Sequence, residues 1–465
     1  MKKITVLILI ILLFQISSFQ LIADDAISTL YLDDAINFAL RNNSNISQGM
    51  YDLDKAEIDL EMARKAFYPK IDISSSYTRM FFEEEELTAE FDESDIELPD
   101  YILENFDMSF LEEISDMLEP DENNYQTGIS IEQPLYLGGR LRIGLEQANK
   151  GLKAAELQLE QRKSEQALQT IQLYYNTLLA EERLALEKKV VELVKEHRRA
   201  AEHSYDQGLT LKTELLQVEI EERRAVDSLE DAKNSLLIAR RYLSNTTGVN
   251  LDGRKLEWPD LDIDMLSNLE EHYLLALENR TELKLMDVNK SVLENNLKME
   301  KNSRKPNVVL SGNYQWQGEE FSFDDGVGSI TLAGSISIFD KGLSNSNQKK
   351  VEKDIAQLEL NKSDFEEFLK IEIEELLLKL ENNRQNILTE ELNLEMAEEN
   401  LKLANRRFEE GMATNTEVLD AQMLYKQSSL GILQADYQYN NNFFSLLNKT
   451  GLLIEYLQNH ERWKQ

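Results

Sequence analysis

The chain of 465 residues offers little from which a reaction centre could be built. It has no cysteine, which removes thiolate nucleophiles, thiolate metal sites, disulfides and the acylated cysteine of a lipoprotein. Its four histidines, His197, His203, His272 and His460, never stand four apart on one helical face, so no histidine-based metal site is expected. His197 continues the apolar face of Val190 and Leu193 and reads as a packed or interface residue rather than a ligand. Asp24-Asp25 and Asp33-Asp34 resemble acid dyads, but the second pair stands where a helix opens and reads as its cap. Carboxylates are what the chain has in excess, 86 Asp+Glu against 50 Lys+Arg, for a formal net charge of −36. That balance argues against a nucleic-acid partner, whose phosphates call for clustered Lys and Arg. No motif converges on a nucleophile, a metal or a cofactor, so the chain reads as a non-enzyme with no cofactor.

The elements that carry these residues begin with an address. Lys2 and Lys3 precede an apolar run from Ile4 to Phe14, then Ser17, Ser18 and the small Ala23. That order is the one of a cleaved secretory signal over 1–23; an uncleaved anchor is the alternative, because Ile4–Ala23 could just span a bilayer. No later segment has 18 consecutive apolar residues, so no second helical span is expected.

The rest is written twice. Leu32-Asp33-Asp34, Ala39-Leu40, Pro69 and Tyr77 match Leu269-Glu270-Glu271, Ala276-Leu277, Pro306 and Tyr314 at an offset of 237. Gly139, Gly208, Thr213-Glu214 and Thr247-Gly248 match Gly342, Gly411, Thr416-Glu417 and Thr450-Gly451 at 203. The first copy (24–248) therefore holds 237 − 203 = 34 residues that the second (249–451) lacks, and a tail follows over 452–465. The source is the segment 83–122, with 18 Asp+Glu and no Lys or Arg, which reads as a solvated acidic loop.

In each copy a helical stretch (about 46–66 and 283–303) runs into a proline and then into alternating sequence. Strands are expected over about 71–82 and 124–137, and over about 308–318 and 329–339. Ile71, Ile73, Tyr77 and Phe81 alternate with Asp72, Ser74, Ser76 and Thr78, and the other three segments follow suit. A transmembrane β-barrel and a half-buried soluble sheet share this period. The export signal, and the lack of other sequence to cover the apolar faces, favour the membrane. Four strands cannot close a spanning barrel, and an open edge in lipid would strand unpaired N–H and C=O groups, so the strands of several chains must be pooled. Tyr77, Phe81, Tyr314, Trp316 and Phe321 read either as an interfacial girdle or as ordinary strand residues.

After the second strand of each copy comes a helix of unusual length, about 141–205 and 343–408, roughly 100 Å at 1.5 Å per residue. Gly208 and Gly411 stop these helices, and shorter ones return over about 213–245 and 416–448. Each return helix, stacked with the helix before a strand, restores roughly the full length of a rod.

Helix–Pro–strand–loop–strand–Gly–long helix–Gly turn–helix, duplicated from about Leu30 to Leu453, resembles the TolC-like outer membrane efflux protein family, the outer membrane factors. The resemblance rests on Leu32-Asp33-Asp34-Ala35 with Ala39-Leu40-Arg41-Asn42-Asn43, on Pro69, and on Pro134-Leu135-Tyr136-Leu137-Gly138-Gly139-Arg140. At the turns it rests on Tyr205-Asp206-Gln207-Gly208-Leu209-Thr210 and Phe408-Glu409-Glu410-Gly411-Met412-Ala413-Thr414, followed by Val418-Leu419-Asp420-Ala421. It implies a mixed α+β membrane protein: a homotrimer in which 3 × 4 = 12 strands form one outer-membrane β-barrel, continued by a long periplasmic α-helical barrel. It further implies an exit duct for drugs, metals, toxins or proteins in efflux or type I secretion, with a periplasmic adapter and an inner-membrane pump as partners.

By the same resemblance, acidic rings close the pore near the glycine turns. Residue-by-residue matching places Glu417 and Asp420 there, with Glu214 and Gln217 as their repeat counterparts. Three copies of each would favour cations in a narrow pore. Glu214 and Glu417 read equally well as first-turn carboxylates complementing a helix dipole, and the two readings are compatible. Asp420 lies deeper in its helix, where the pore reading is stronger. Ala413 stands where some relatives carry a basic latch and Phe408 where Tyr is frequent, so the sequence leaves open whether the gate has a salt-bridge latch. Gly208, Leu209, Thr210, Gly411, Met412 and Thr414 read as the adapter contact or as simple helix–helix turns. The competing function class is an envelope-anchored helical interaction protein with no pore.

Overall fold

The structure, a computed structural model, describes residues 29–81, 123–259 and 268–459. The export signal expected over 1–23, the acidic segment 83–122 and the last residues of the tail lie outside the described residues.

The first copy runs β1 (Thr29–Leu30), α1 (Leu32–Asn42), α2 (Ser44–Lys65), β2 (Lys70–Arg79), β3 (Asn123–Leu137), α3 (Arg140–Asp206) and α4 (Lys212–Thr247). The second runs β4 (Lys255–Leu256), α5 (Leu269–Asn279), α6 (Thr281–Asn302), β5 (Asn307–Gly318), β6 (Val327–Ser335), α7 (Leu343–Glu409) and α8 (Asn415–Lys449), before a short α9 (Leu453–Asn459). Both α3 and α7 span 67 residues, and neither contains a proline to interrupt its hydrogen-bond ladder. Pro69 and Pro306 immediately precede β2 and β5 and mark the change from helix to strand. Asp33 and Asp34 sit in the first turn of α1, whose N-cap is Tyr31 without a side-chain cap bond. They complement the helix dipole instead of capping it.

The chain divides into two compact units, each drawing on both copies. The first comprises Met1–Ala56, Leu152–Lys290 and Ala356–Gln465. Its larger core gathers Tyr174, Tyr175, Phe443 and Phe444 with Leu30, Ile36, Ile171, Leu369 and Ile373. There β1 and β4 pair in parallel, and the buried Tyr174 hydroxyl lies 2.8 Å from the Leu30 carbonyl and 2.7 Å from that of Glu257. It also accepts the Glu257 N–H at 3.1 Å, so one hydroxyl serves backbone groups next to both short strands. A second cluster packs Leu186, Val190 and Val194 of α3 against Ala397, Leu401 and Ala404 of α7 and Val418, Ala421 and Tyr425 of α8. On α4, Val218, Ala225, Ala232 and Ala239 are buried at seven-residue intervals, the spacing of a coiled-coil seam.

The second unit, Glu57–Gly151 with Ser291–Ile355, contains an antiparallel sheet of order β2-β3-β5-β6. A bulge interrupts the β3–β5 register between Pro134 and Tyr136. The strand expected to reach 339 stops at Ser335, which pairs with Asn307. Beyond Asn307 stands Pro306, which has no N–H to extend the ladder.

Candidate functional site

Strand register sorts the sheet's side chains by chemistry. Ile73, Ile129 and Tyr314 align across β2, β3 and β5, with Gly328 of β6 opposite Tyr314. Ile71, Ile131, Gly312 and Ile330 make the parallel row. The opposite face carries Asp72, Ser130, Asn313 and Ser329 in one row, and Ser76, Gln126 and Gln317 in another. Alternate residues point to opposite faces, so one face is apolar and the other small and polar. The apolar face is bare: Ile73 is 75% and Ile330 85% exposed. A soluble protein rarely leaves so large an apolar surface uncovered.

Along one edge of that face six rings touch in series. Tyr77 contacts Tyr125 at 4.7 Å, and Tyr125 contacts Phe321 at 6.4 Å. Phe321 meets Phe323, Phe323 meets Trp316, and Trp316 meets Tyr314, with centroids 5.2, 5.2 and 4.7 Å apart. Phe81 lies outside the series, its ring under the Arg79 guanidinium at 5.4 Å. Of the five aromatics that the sequence leaves open between an interfacial girdle and ordinary strand residues, Tyr77, Tyr314, Trp316 and Phe321 thus fall in one band, together with Tyr125 and Phe323.

The two glycine turns of the first unit share one geometry. The Leu209 N–H donates to the Ser204 carbonyl at 2.9 Å and Gly208 to Tyr205 at 2.8 Å; Met412 donates to Arg407 at 2.7 Å and Gly411 to Phe408 at 3.0 Å. This double closure requires a left-handed residue, and Gly208 (φ 71°) and Gly411 (φ 69°) supply it without a Cβ penalty. Leu209 and Met412 project into solvent, 76% and 59% exposed, while Thr210 is half-buried and Thr414 exposed.

The carboxylates beyond the turns divide by what engages them. Glu417 closes a capping box: its backbone N–H donates to the Thr414 hydroxyl at 3.3 Å and its Oε1 accepts the Thr414 N–H at 3.4 Å. Its other oxygen pairs with Arg407 Nη1 at 3.3 Å, and Arg407 Nη2 donates to the Met412 carbonyl at 3.0 Å. An arginine on the preceding helix therefore reaches the carboxylate across the turn, although Ala413 offers no latch. Glu214 accepts from the Thr210 hydroxyl and, at 3.1 Å, from Asn415 Nδ2 at the start of α8, which ties the two turns together. Asp420 and Gln217 are exposed on the second turns of α8 and α4, and among the described residues Asp420 has no ion pair.

Beneath the turns lies His197, 5% exposed, its ring edge-on to Phe408 at 4.8 Å. Burial pushes its pKa down to about 4, with the Asn415 side chain pulling weakly the other way. It is a packed histidine, as the sequence suggested. Arg407 and Asn415 carried no comparable signal, since each acquires its meaning only when the turn folds it against its partner.

Comparison with known proteins places this geometry. The profile of the family described as outer membrane efflux protein matches residues 35–249 and 273–452. No curated protein matches the sequence. Among solved structures, the CmeC outer membrane channel of Campylobacter jejuni is similar with a TM-score of 0.73 at 16% identity, over 91% of this chain and 86% of that one. The outer membrane protein VceC of Vibrio cholerae is similar at 0.71 and 15% identity, over 90% and 96%. The open state of the MtrE outer membrane channel of Neisseria gonorrhoeae gives 0.69 at 16% identity, over 91% and 89%. With the profile spanning both copies, the chain belongs to the outer membrane efflux protein family.

Proposed function

We propose that the chain is the outer-membrane channel of a tripartite efflux or type I secretion system, a passive exit duct across periplasm and outer membrane. The family is one of outer-membrane channels rather than enzymes. The observation that carries the finer reading is the four-stranded sheet: apolar and bare on one face, small and polar on the other, with β2 and β6 as its outer strands. Lipid against the first face and water against the second suits both. In lipid the outer edges of β2 and β6 need partners, because each unpaired backbone group costs several kcal/mol there. Three copies supply 3 × 4 = 12 strands, and β6 of one copy pairing with β2 of the next leaves no edge.

In this reading residues 1–23 direct export, and the glycine turns dock a periplasmic adapter that couples the duct to an inner-membrane pump. Leu209 and Met412 present apolar contact area there, and the turn backbones offer close approach. Asp420, with Glu417 and Glu214 behind it, forms the constriction. The duct performs no chemical step; its selectivity is electrostatic. Single-channel recording on the purified full chain in planar bilayers tests the function. Discrete ohmic openings are expected, whereas insertion without conductance would mark an envelope-anchored interaction protein instead.

A further inference from the structure

We propose that the strand–helix junctions form a basic collar that holds the phosphate headgroups of anionic phospholipids in the periplasmic leaflet, an inference that rests on the membrane reading of the sheet above. Register brings the four junctions to one edge: Lys70 opens β2 opposite Glu132, Leu137 ends β3 opposite Asn307, and Asn307 opens β5 opposite Ser335. Residues 64–70, 138–150, 298–305 and 339–350 contain 13 Lys+Arg against 3 Asp+Glu. A local balance of +10 in a chain of net −36 runs against the composition of the whole. The other end of the sheet has the opposite sign. There the β5–β6 connection carries Glu319, Glu320, Asp324 and Asp325 with no basic residue.

Lys65, Lys70, Lys298 and Arg304 are paired with Glu61, Asp72, Glu146 and Asp340, and six further charges of the collar are not so engaged. Arg140, Arg142, Lys301, Lys305, Lys341 and Lys349 are all exposed, and none has an ion pair among the described residues. Some basic groups of the first unit are by contrast paired and partly buried, as in Arg240–Glu181, Lys426–Glu187 and Lys449–Glu372. Helix electrostatics sharpen the contrast. Glu occupies the first turn of α4, α5, α6 and α8, where it complements the dipole. The two helices that leave the sheet, α3 and α7, have no acid in that turn, and α3 opens on Arg140 and Arg142. Asp340 does accept the Gly342 and Ser344 N–H groups before α7, yet it is also paired with Arg304 at 2.7 Å. Cations at a helix N-terminus are unfavourable unless an outside anion faces them.

An anionic leaflet is such an anion. Tyr68, Tyr136 and Phe339 lie exposed at the same edge, at 69%, 42% and 82%, in the manner of aromatic side chains at headgroup level. The basic groups follow within a few residues: Lys349 is six positions past Leu343, about 9 Å of helix, comparable with the roughly 8 Å screening length of physiological salt. Guanidinium and ammonium groups then meet phosphate oxygens directly.

The test uses the full chain isolated in a neutral detergent and reconstituted with equal amounts of phosphatidylglycerol and phosphatidylcholine, with retained lipid read by native mass spectrometry. The parent should retain phosphatidylglycerol over phosphatidylcholine by about tenfold at low salt, and 0.5 M salt should erase most of that preference. Neutralising the collar (R140Q, R142Q, K301Q, K305Q, K341Q, K349Q) should erase it at low salt too, while R223Q with R224Q on α4 should leave it intact. If the sixfold variant does not assemble, the pair R142Q and K349Q should still show a reduced preference. Equal retention of both lipids by the parent, or an unchanged preference in the variants, overturns the collar alone. A parent that fails to float with phosphatidylcholine vesicles overturns the membrane reading, and the collar with it.

Discussion

Glu417 and Asp420 stand three residues apart on α8, so both lie on one helical face, yet among the described residues Glu417 has an ion-pair partner and Asp420 has none. That difference separates their expected phenotypes. Among three copies of Asp420 near a pore axis, each pair about 6 Å apart at an effective dielectric near 20 repels by almost 3 kcal/mol before screening, and bound cations offset that repulsion. Asp420→Ala should therefore raise conductance and weaken divalent block at low ionic strength, measured in single-channel recordings. Glu417→Ala should lower thermal stability by about 1 kcal/mol through the lost capping box, with a smaller effect on block. Block unchanged in a variant lacking both carboxylates would move the constriction elsewhere. His197 gives a second residue-scale expectation. Its folded pKa of about 4 lies below the ordinary histidine value of 6.5, so the fold holds the ring neutral while the unfolded chain takes up a proton below 6.5. Its contribution is complete above 6.5, declines as pH falls, and is lost through about 4, a swing of about 3 kcal/mol at most. A melting temperature that falls less from pH 7.5 to 4.5 in His197→Phe than in the parent is expected; parallel falls would show that other groups dominate.

At the scale of elements, the apolar and polar rows of the sheet make opposite demands on a buried charge. Ile73→Arg or Ile330→Arg should cost about 2–4 kcal/mol in lipid and reduce vesicle-associated protein, whereas Asn313→Arg on the polar face should be tolerated. Equal loss from both faces would contradict the lipid assignment. Deleting residues 84–120, the acidic segment without a counterpart in the second copy, should leave oligomer assembly intact in cross-linking, because the second hairpin closes without it. Much of this was legible in the sequence because period two, proline and glycine act locally: Pro69 and Pro306 mark strand starts, and Gly208 and Gly411 end the long helices. The end of β6 was not legible, since Ile336 and Ile338 continue the alternation after Pro306 has ended the partner strand. Nor were the contacts at the turns. The repeat equates Glu214 with Glu417, but Thr210 aligns with Ala413 and Leu211 with Thr414, so the first carboxylate bonds Thr210 and Asn415 while the second closes a capping box. A pair such as Glu214 and Asn415, 201 residues apart, leaves no trace in local spacing.

At the scale of the whole molecule, everything turns on whether separate copies complete one another's sheet. Within a chain β2 and β6 lie at opposite ends of the order β2-β3-β5-β6. Three strand spacings of roughly 4.8 Å put them about 14 Å apart, twice the reach of a disulfide. The native chain has no cysteine, so introduced thiols report without background. The decisive measurement fixes Ser74→Cys on β2 and scans Ser329→Cys, Thr331→Cys and Ala333→Cys on β6, one at a time, oxidising assembled protein in membranes before denaturing electrophoresis. At least one pairing should yield a covalent, closed trimer that reverts to monomer on reduction. Monomers alone at every pairing, from protein that is assembled and inserted, would contradict a barrel shared among three chains.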